Sequence, residues 1–384
     1  MKWSIPIGRI WGIRLGIHVT FFLLIAWVAW LGWTVGGWDT SLWAVAMICL
    51  LFVCVILHEL GHSVAAMKYG IEVHSITLLP IGGVAGMKSM PEEPRKELVI
   101  AVAGPLVNVL ILALLIPLRG FPSWVDMPIV PQTMPEMVDT MIRANMILIV
   151  FNMIPAFPMD GGRVLRAALA MIFSYPTATA WAAGMGRFVA VLFFMLGVYV
   201  TQPFLILIGV FVFLGAAAEA RMVRIKDALK NVPVSLLMRR DVEALSPGDT
   251  LRACLEAYHY RGATDFIVRD GTVLRGLLPA DVWTAALKKY GPEEPVDGHA
   301  LRRYVSFKPD APMDLIIQDV WGLKQELFPV MQNGELLGVL MLDDLRAFIA
   351  KRTGQVQAPA PTEAHRSPDG QPARRPSRFS VDLG

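Results

Sequence analysis

ILHELGH, residues 56–62, lies inside one of the most apolar stretches of the chain, and its reading decides the fold. Ionisable groups within an apolar span are rare because they are expensive to desolvate, so they mark function by default. His58 and His62 are four residues apart and share one helix face, one turn apart. Two imidazoles at that spacing can bind one zinc ion, with Glu59 as general base toward an attacking water. Gly61 lets another backbone approach this face. The bland reading is a chance HExxH whose histidines cap or pair locally. The cost of solvating such groups in a membrane works against it.

The rest of the sequence supplies that membrane. The chain is 384 residues long and 55% hydrophobic, with a mean hydropathy of +0.51, too apolar for an ordinary soluble protein. Charge is unevenly spread: residues 1–220 hold 12 Lys/Arg and 11 Asp/Glu, whereas 221–384 hold 23 and 21. A membrane part is therefore followed by a soluble one. A formal net charge of +3 and the lack of a basic helix with interleaved aromatics exclude nucleic acid as a partner. Three cysteines with no CxxC pair exclude a disulfide framework and a cysteine zinc site. The basic N-terminal stretch, broken by Gly and Pro, reads as no removable signal peptide.

Six apolar segments are long enough to predict spans: 17–35, 41–67, 98–118, 137–155, 184–200 and 203–219. Thr201-Gln202-Pro203 joins the last two as a helical hairpin. With the N-terminus inside, the inner flanks carry thirteen Lys/Arg, among them Lys2, Arg9, Arg14, Lys68, Arg163, Arg166 and Arg187, against Arg119 and Arg143 outside. That bias predicts cytoplasmic N- and C-termini. Trp27, Trp30, Trp33, Trp38 and Trp43 fit an interfacial belt, although ordinary packing explains any one of them.

A catalytic zinc takes three protein ligands and keeps one position open. The third is sought in FNMIPAFPMDGGRVLRA, residues 151–167. Pro155 and Pro158 end the fourth span, and Asp160-Gly161-Gly162 follow at once. Broken backbone at membrane depth is tolerated where it is buried or lines a cavity, so Asp160 is expected to face a cavity. Its alternative role is N-cap of a helix starting near Arg163.

HELGH in one span with N-x-x-P-x-x-P-M-D-G-G in a later one resembles the site-2 protease family of intramembrane zinc metalloproteases. LLPIGGVAGM (78–87) and AGPLVN (103–108) agree with further segments of that family, and the resemblance covers residues 8–220. It implies that His58, His62 and Asp160 are zinc ligands, Glu59 the general base, and Asn152 a group that holds the substrate or its oxyanion. An interhelical hydrogen bond is the equal alternative for Asn152. Asn108 and His18 read as structural hydrogen-bonding groups between spans. Residues 71–87 alternate and then turn glycine-rich, which predicts a strand. Its edge could receive an unwound substrate by strand addition; the alternative is a hairpin with no such role.

In the soluble part, FIVRDGTVLRGLLPADV (266–282) and FPVMQNGELLGVLMLDD (328–344) repeat at an offset of 62 residues. This resembles a tandem pair of cystathionine-β-synthase-type (CBS) domains, which often bind adenine nucleotides. Where many members carry Thr or Ser before the ribose-binding aspartate, this chain has Pro279 and Met341. Asp281, Asp343 and Asp344 remain. The departure argues against nucleotide binding and leaves a dimerising or substrate-docking role open.

The expected architecture is a polytopic α-helical membrane domain with a small β segment over 1–226, CBS domains over 227–294 and 295–352, and a disordered tail over 353–384. The expected function is an intramembrane zinc endopeptidase in a bacterial cell membrane, with lipid and a transmembrane protein as partners and a homodimer formed through the CBS pair. A metal transporter and a catalytically dead scaffold are the rivals. The first should show further acids and histidines along the spans to pass the ion on, and only His18 is counted there; the second is at odds with an intact Glu59 and Asp160.

Overall fold

The computed structural model describes residues 3–354 except 81, 88–90, 126–127, 272 and 324. The tail expected to be disordered lies outside the described residues from 355 onward. The chain divides into two compact units, Met1–Arg221 and Met222–Gly384.

The first unit opens with a hairpin that the sequence reading passed over. Strands β1 (Ser4–Ile10) and β2 (Ile13–His18) are antiparallel, and their turn uses Trp11 and Gly12 at φ 49° and 86°, the paired positive φ of a tight hairpin turn. His18 then caps helix α1 (Val19–Lys68) by accepting from Thr20 N at 3.4 Å. The first two expected spans are the two arms of α1, which breaks at Gly36 and Gly37. Gly37 has φ 75°, a conformation only glycine takes at no steric cost. The arms fold back on each other: Ser41 Oγ donates to Ala29 O at 2.9 Å, and the Phe21 and Phe52 rings meet edge-on at 4.5 Å.

Strands β3 (Val73–Leu79) and β4 (Gly82–Met87) follow where the alternating pattern predicts strand. The sheet order is β1-β2-β3-β4, with β2 and β3 parallel, so β4 is an edge. Ile13 and Ile76 are fully buried in the cluster formed with Leu60, Ala66 and Ile100, which seats the sheet against the helices.

Helices α2 (Pro94–Arg119), α3 (Met134–Asn152), α4 (Asp160–Ala170), α5 (Tyr175–Tyr199) and the part of α6 (Pro203–Leu229) up to Arg221 complete the unit. Helices α1, α2, α5 and α6 are long and apolar enough to cross a membrane. Helix α3 carries Glu136, Asp139 and Arg143 and stops at Asn152 rather than 155, because the prolines beyond cannot continue it. Helix α5 starts nine residues before the expected 184, behind Pro176 in its first turn. Helix α6 runs past 219, its polar end still helical. Arg166, counted above as an inner flanking charge, is buried within the unit.

The second unit contains α7 (Val234–Leu237) and then two copies of one motif. The first has β5 (Ala244–Leu245), α8 (Leu251–Arg261), β6 (Phe266–Asp270), β7 (Val273–Leu278) and α9 (Ala280–Tyr290). The second has α10 (Met313–Gly322), β8 (Leu327–Gln332), β9 (Glu335–Met341) and α11 (Leu342–Thr353), with Phe307 bridging Val330 in parallel as Leu245 pairs with Val268. Helix and strand starts recur at the offset of the repeat: Leu251 and Met313, Val273 and Glu335, Ala280 and Leu342. The cores recur too, with Phe266 and Leu278 answered by Phe328 and Leu340. This is the topology expected of a tandem CBS pair.

Candidate metal centre

The second arm of α1 carries His58 and His62 on one face, and both are buried. Helix α2 crosses that face at backbone contact. A Cβ at Gly61 would stand 2.6 Å from Ala103 O, and one at Gly104 would stand 2.2 Å from His62 Nε2. From this close position α2 orients both rings. His62 Nδ1 donates to Ile100 O at 2.7 Å, and His58 Nδ1 donates to Asn108 Oδ1 at 2.5 Å. Asn108 Nδ2 donates to Asn145 Oδ1 at 2.7 Å, and Asn145 Nδ2 donates to Met141 O at 2.8 Å, which ties the arrangement to α3.

Asp160 arrives from the other side. Met159 is the N-cap of α4 and Asp160 its first helical residue, so the helix-cap reading of Asp160 is set aside. The turn before it folds back tightly enough that a Cβ on Gly161 would lie 2.3 Å from Ile154 O, and one on Gly162 2.6 Å from Phe157 N. Asp160 Oδ2 thereby reaches His58 Nε2 at 3.2 Å and His62 Nε2 at 3.0 Å, while the two Nε2 atoms are 3.1 Å apart.

This triangle fits zinc. Donor atoms of a tetrahedral site with bonds of about 2.0–2.1 Å lie roughly 3.3 Å apart. The ring orientations agree. A carbonyl oxygen only accepts, so His62 carries its proton on Nδ1, and Asn108 Oδ1 fixes His58 the same way, since the amide nitrogen is used elsewhere. The Nε2 atoms of both rings are thereby left facing the same Asp160 carboxylate oxygen, the geometry in which one shared cation can sit. Among the described residues these three form the one group of His, Cys, Asp and Glu able to hold a metal.

Glu59 is half-buried beside this cluster. A Cβ on Gly83 would come within 2.7 Å of its Cγ, so edge strand β4 passes directly against the glutamate. Asn152 is the half-buried last residue of α3 and makes no side-chain hydrogen bond among the described residues. Asn108 does bond between helices, as expected, and one partner is a proposed ligand. His18 serves α1 as its cap and is not brought to the cluster. Gly104, which falls in the AGPLVN segment, was assigned no role there, and Asn145 was missed. Asn145, a lone amide before the apolar run MILIV, was the available signal.

The apolar helices and this centre define a multi-pass integral membrane protein with a metallohydrolase-type zinc site. Peptidase family M50 matches residues 46–127 and 125–196. A zinc metalloprotease of Methanocaldococcus jannaschii is 38% identical over 264 residues, 67% of this chain and 72% of that one. A solved site-2 protease from the same organism is 38% identical, covering 57% of this chain and 95% of its own, with a TM-score of 0.43. A CBS-domain-containing protein of Agrobacterium tumefaciens is 20% identical, covering 28% of this chain and 89% of its own, with a TM-score of 0.26. The chain belongs to peptidase family M50, the zinc metalloproteases of site-2 protease type.

Proposed function

We propose that this enzyme is an intramembrane endopeptidase that cleaves a transmembrane protein in or near its span and releases a fragment to the cytoplasm, in regulated intramembrane proteolysis. The observation that carries the reading is the buried triangle of His58 Nε2, His62 Nε2 and Asp160 Oδ2 with Glu59 on the same helix turn. These three residues would hold zinc, which supplies Lewis-acid polarisation of the scissile carbonyl. Glu59 takes the proton of the attacking water and delivers it to the leaving amine. Asn152, whose side chain makes no hydrogen bond among the described residues, donates to the developing oxyanion. A helical substrate hides its scissile carbonyl, so it must unwind; β4, a sheet edge among the described residues, passes Glu59 at Gly83, and an extended segment can add there as a strand.

A transport route is less well supported. Glu97 and Glu219, the further acids it would use, are both engaged by Arg166. The basic flanks favour cytoplasmic termini, which puts the CBS pair where it can regulate or dimerise the protease. Nucleotide binding there is disfavoured a second time: both oxygens of Asp344 are taken by Arg239, whose Nε and Nη2 donate at 2.5 Å each.

The test is Glu59→Gln in full-length protein reconstituted with a transmembrane substrate. Zinc should stay at one per chain while cleavage falls roughly 10²–10⁴-fold, the usual worth of a general base. Cleavage at the wild-type rate would remove Glu59 from the mechanism.

A further inference from the structure

The membrane unit buries one arginine that the proposed chemistry does not use. Arg166 lies on α4, six residues after Asp160, and 1% of its surface is exposed. Its Nε donates to Glu97 Oε1 at 2.8 Å and its Nη2 donates to the same oxygen, while Nη1 donates to Glu219 Oε1 at 2.5 Å. The rings of Phe157 and Tyr175 lie 4.8 and 4.9 Å from the guanidinium carbon. The grip therefore comes from α2, α6, the loop before α4 and the start of α5.

A buried ion pair is weak evidence for stability, because desolvation offsets the attraction; its best-attested use is to specify register. The register at stake here is that of the metal centre. Glu97 stands one turn before Ile100, whose carbonyl orients His62, and two turns before Gly104, against which both Nε2 atoms lie. Arg166 stands on the helix whose first residue is Asp160. The pair Arg166–Glu97 thus joins the helix that orients the histidines to the helix that carries the carboxylate. A planar fork with five donors, in contact with two rings and held by two acids, is suited to fix α4 both in rotation and along its axis. A lysine, with one rotatable point charge, does not. The remaining oxygen of Glu97, Oε2, has no hydrogen-bond partner among the described residues, so Arg166 is what compensates this buried carboxylate.

We infer that Arg166, gripped by Glu97 and Glu219, is a positioning residue that sets Asp160 against His58 and His62. The inference rests on the zinc-site reading above. Its test loads the full-length protein with cobalt(II), whose visible absorption reports coordination geometry. Arg166→Lys and Glu97→Gln should bind cobalt 10–100-fold more weakly, the usual cost of losing an outer-sphere support, and should show an altered visible band. Glu219→Gln, at a side chain 37% exposed, should move both readouts in the same direction by less. Wild-type affinity and an unchanged band in Arg166→Lys, with only a lower melting temperature, would reduce Arg166 to packing and overturn the inference. Should the Arg166 and Glu97 variants not fold, Glu219→Gln decides, and an unchanged affinity and band there overturn it equally. If wild-type protein bound no cobalt, or Asp160→Ala left its band unchanged, the zinc reading would fall and take this inference with it.

Discussion

Gly104→Ala adds one methyl group at the tightest point of the centre. The new carbon would stand 2.2 Å from His62 Nε2 and 2.8 Å from His58 Nε2. Relaxed contact between such atoms needs roughly 3.5 Å, so a ring or a helix must retreat by about 1.3 Å. Metal–ligand distances tolerate about 0.2 Å. Helix α2 cannot tilt to absorb the shift without pulling Ile100 O and Asn108 away from the two Nδ1 atoms they hold. One of three donors is therefore lost or misplaced, and a misplacement of about 1 Å is enough for a roughly 100-fold loss of rate. Helix propensity acts the other way, since Ala is favoured over Gly by about 1 kcal/mol in a helix interior, so the fold should survive. Gly184→Ala on α5, with nothing within 4 Å of the added carbon, is the control and should keep both zinc and activity. The assay is zinc content by mass spectrometry alongside cleavage of a reconstituted substrate. Gly104→Ala that retains one zinc per chain and cleaves at the wild-type rate would refute the geometry.

Asn108→Ala removes the acceptor of His58 Nδ1 and should weaken zinc affinity 10–100-fold in a chelator competition; no change would make that hydrogen bond dispensable. In the second unit, burial pushes the Cys254 thiol up to about 12, so its neutral form is favoured in the folded state. The stability this contributes is complete below the unfolded value of about 8.5 and is lost as pH rises from there toward 12. Alkylating reagent at pH 8.5 should leave Cys254 unmodified in native protein, and Cys254→Ala should flatten the alkaline fall in denaturant stability; prompt labelling of the native chain would contradict this. Calorimetry of the full-length protein with ATP or AMP should detect weak binding at most, because Asp344 is already paired with Arg239, and tight binding would show that this pair opens readily.

The parts of this protein that were legible in its sequence are those where one residue type admits few alternatives. His58, Glu59 and His62 advertise themselves because charge in an apolar helix is costly, and Asp160 because Pro155 and Pro158 break the backbone just before it. The soluble repeat was legible because its offset keeps Phe266 and Phe328, and Leu278 and Leu340, in equivalent core positions. Other features depend on partners distant in the chain. Gly104 looks like any small residue in an apolar helix until α1 is laid across it. Arg166 counts as a flanking charge until Glu97 and Glu219, 69 and 53 residues away, close around it. The β1–β2 hairpin was hidden because the residues of β1 are mostly exposed and its turn, Trp11-Gly12, lacks the Asn-Gly or Asp-Gly pair that usually signals one.

Zinc-edge X-ray absorption on the full-length wild-type protein and on Asp160→Ala tests the central claim most directly. The account predicts a wild-type shell of two imidazole nitrogens and light-atom oxygen at about 2.0–2.2 Å with no sulfur, and loss of the carboxylate contribution together with most of the bound zinc in Asp160→Ala. A sulfur ligand at about 2.3 Å, or an unchanged spectrum at full zinc occupancy in Asp160→Ala, would contradict it.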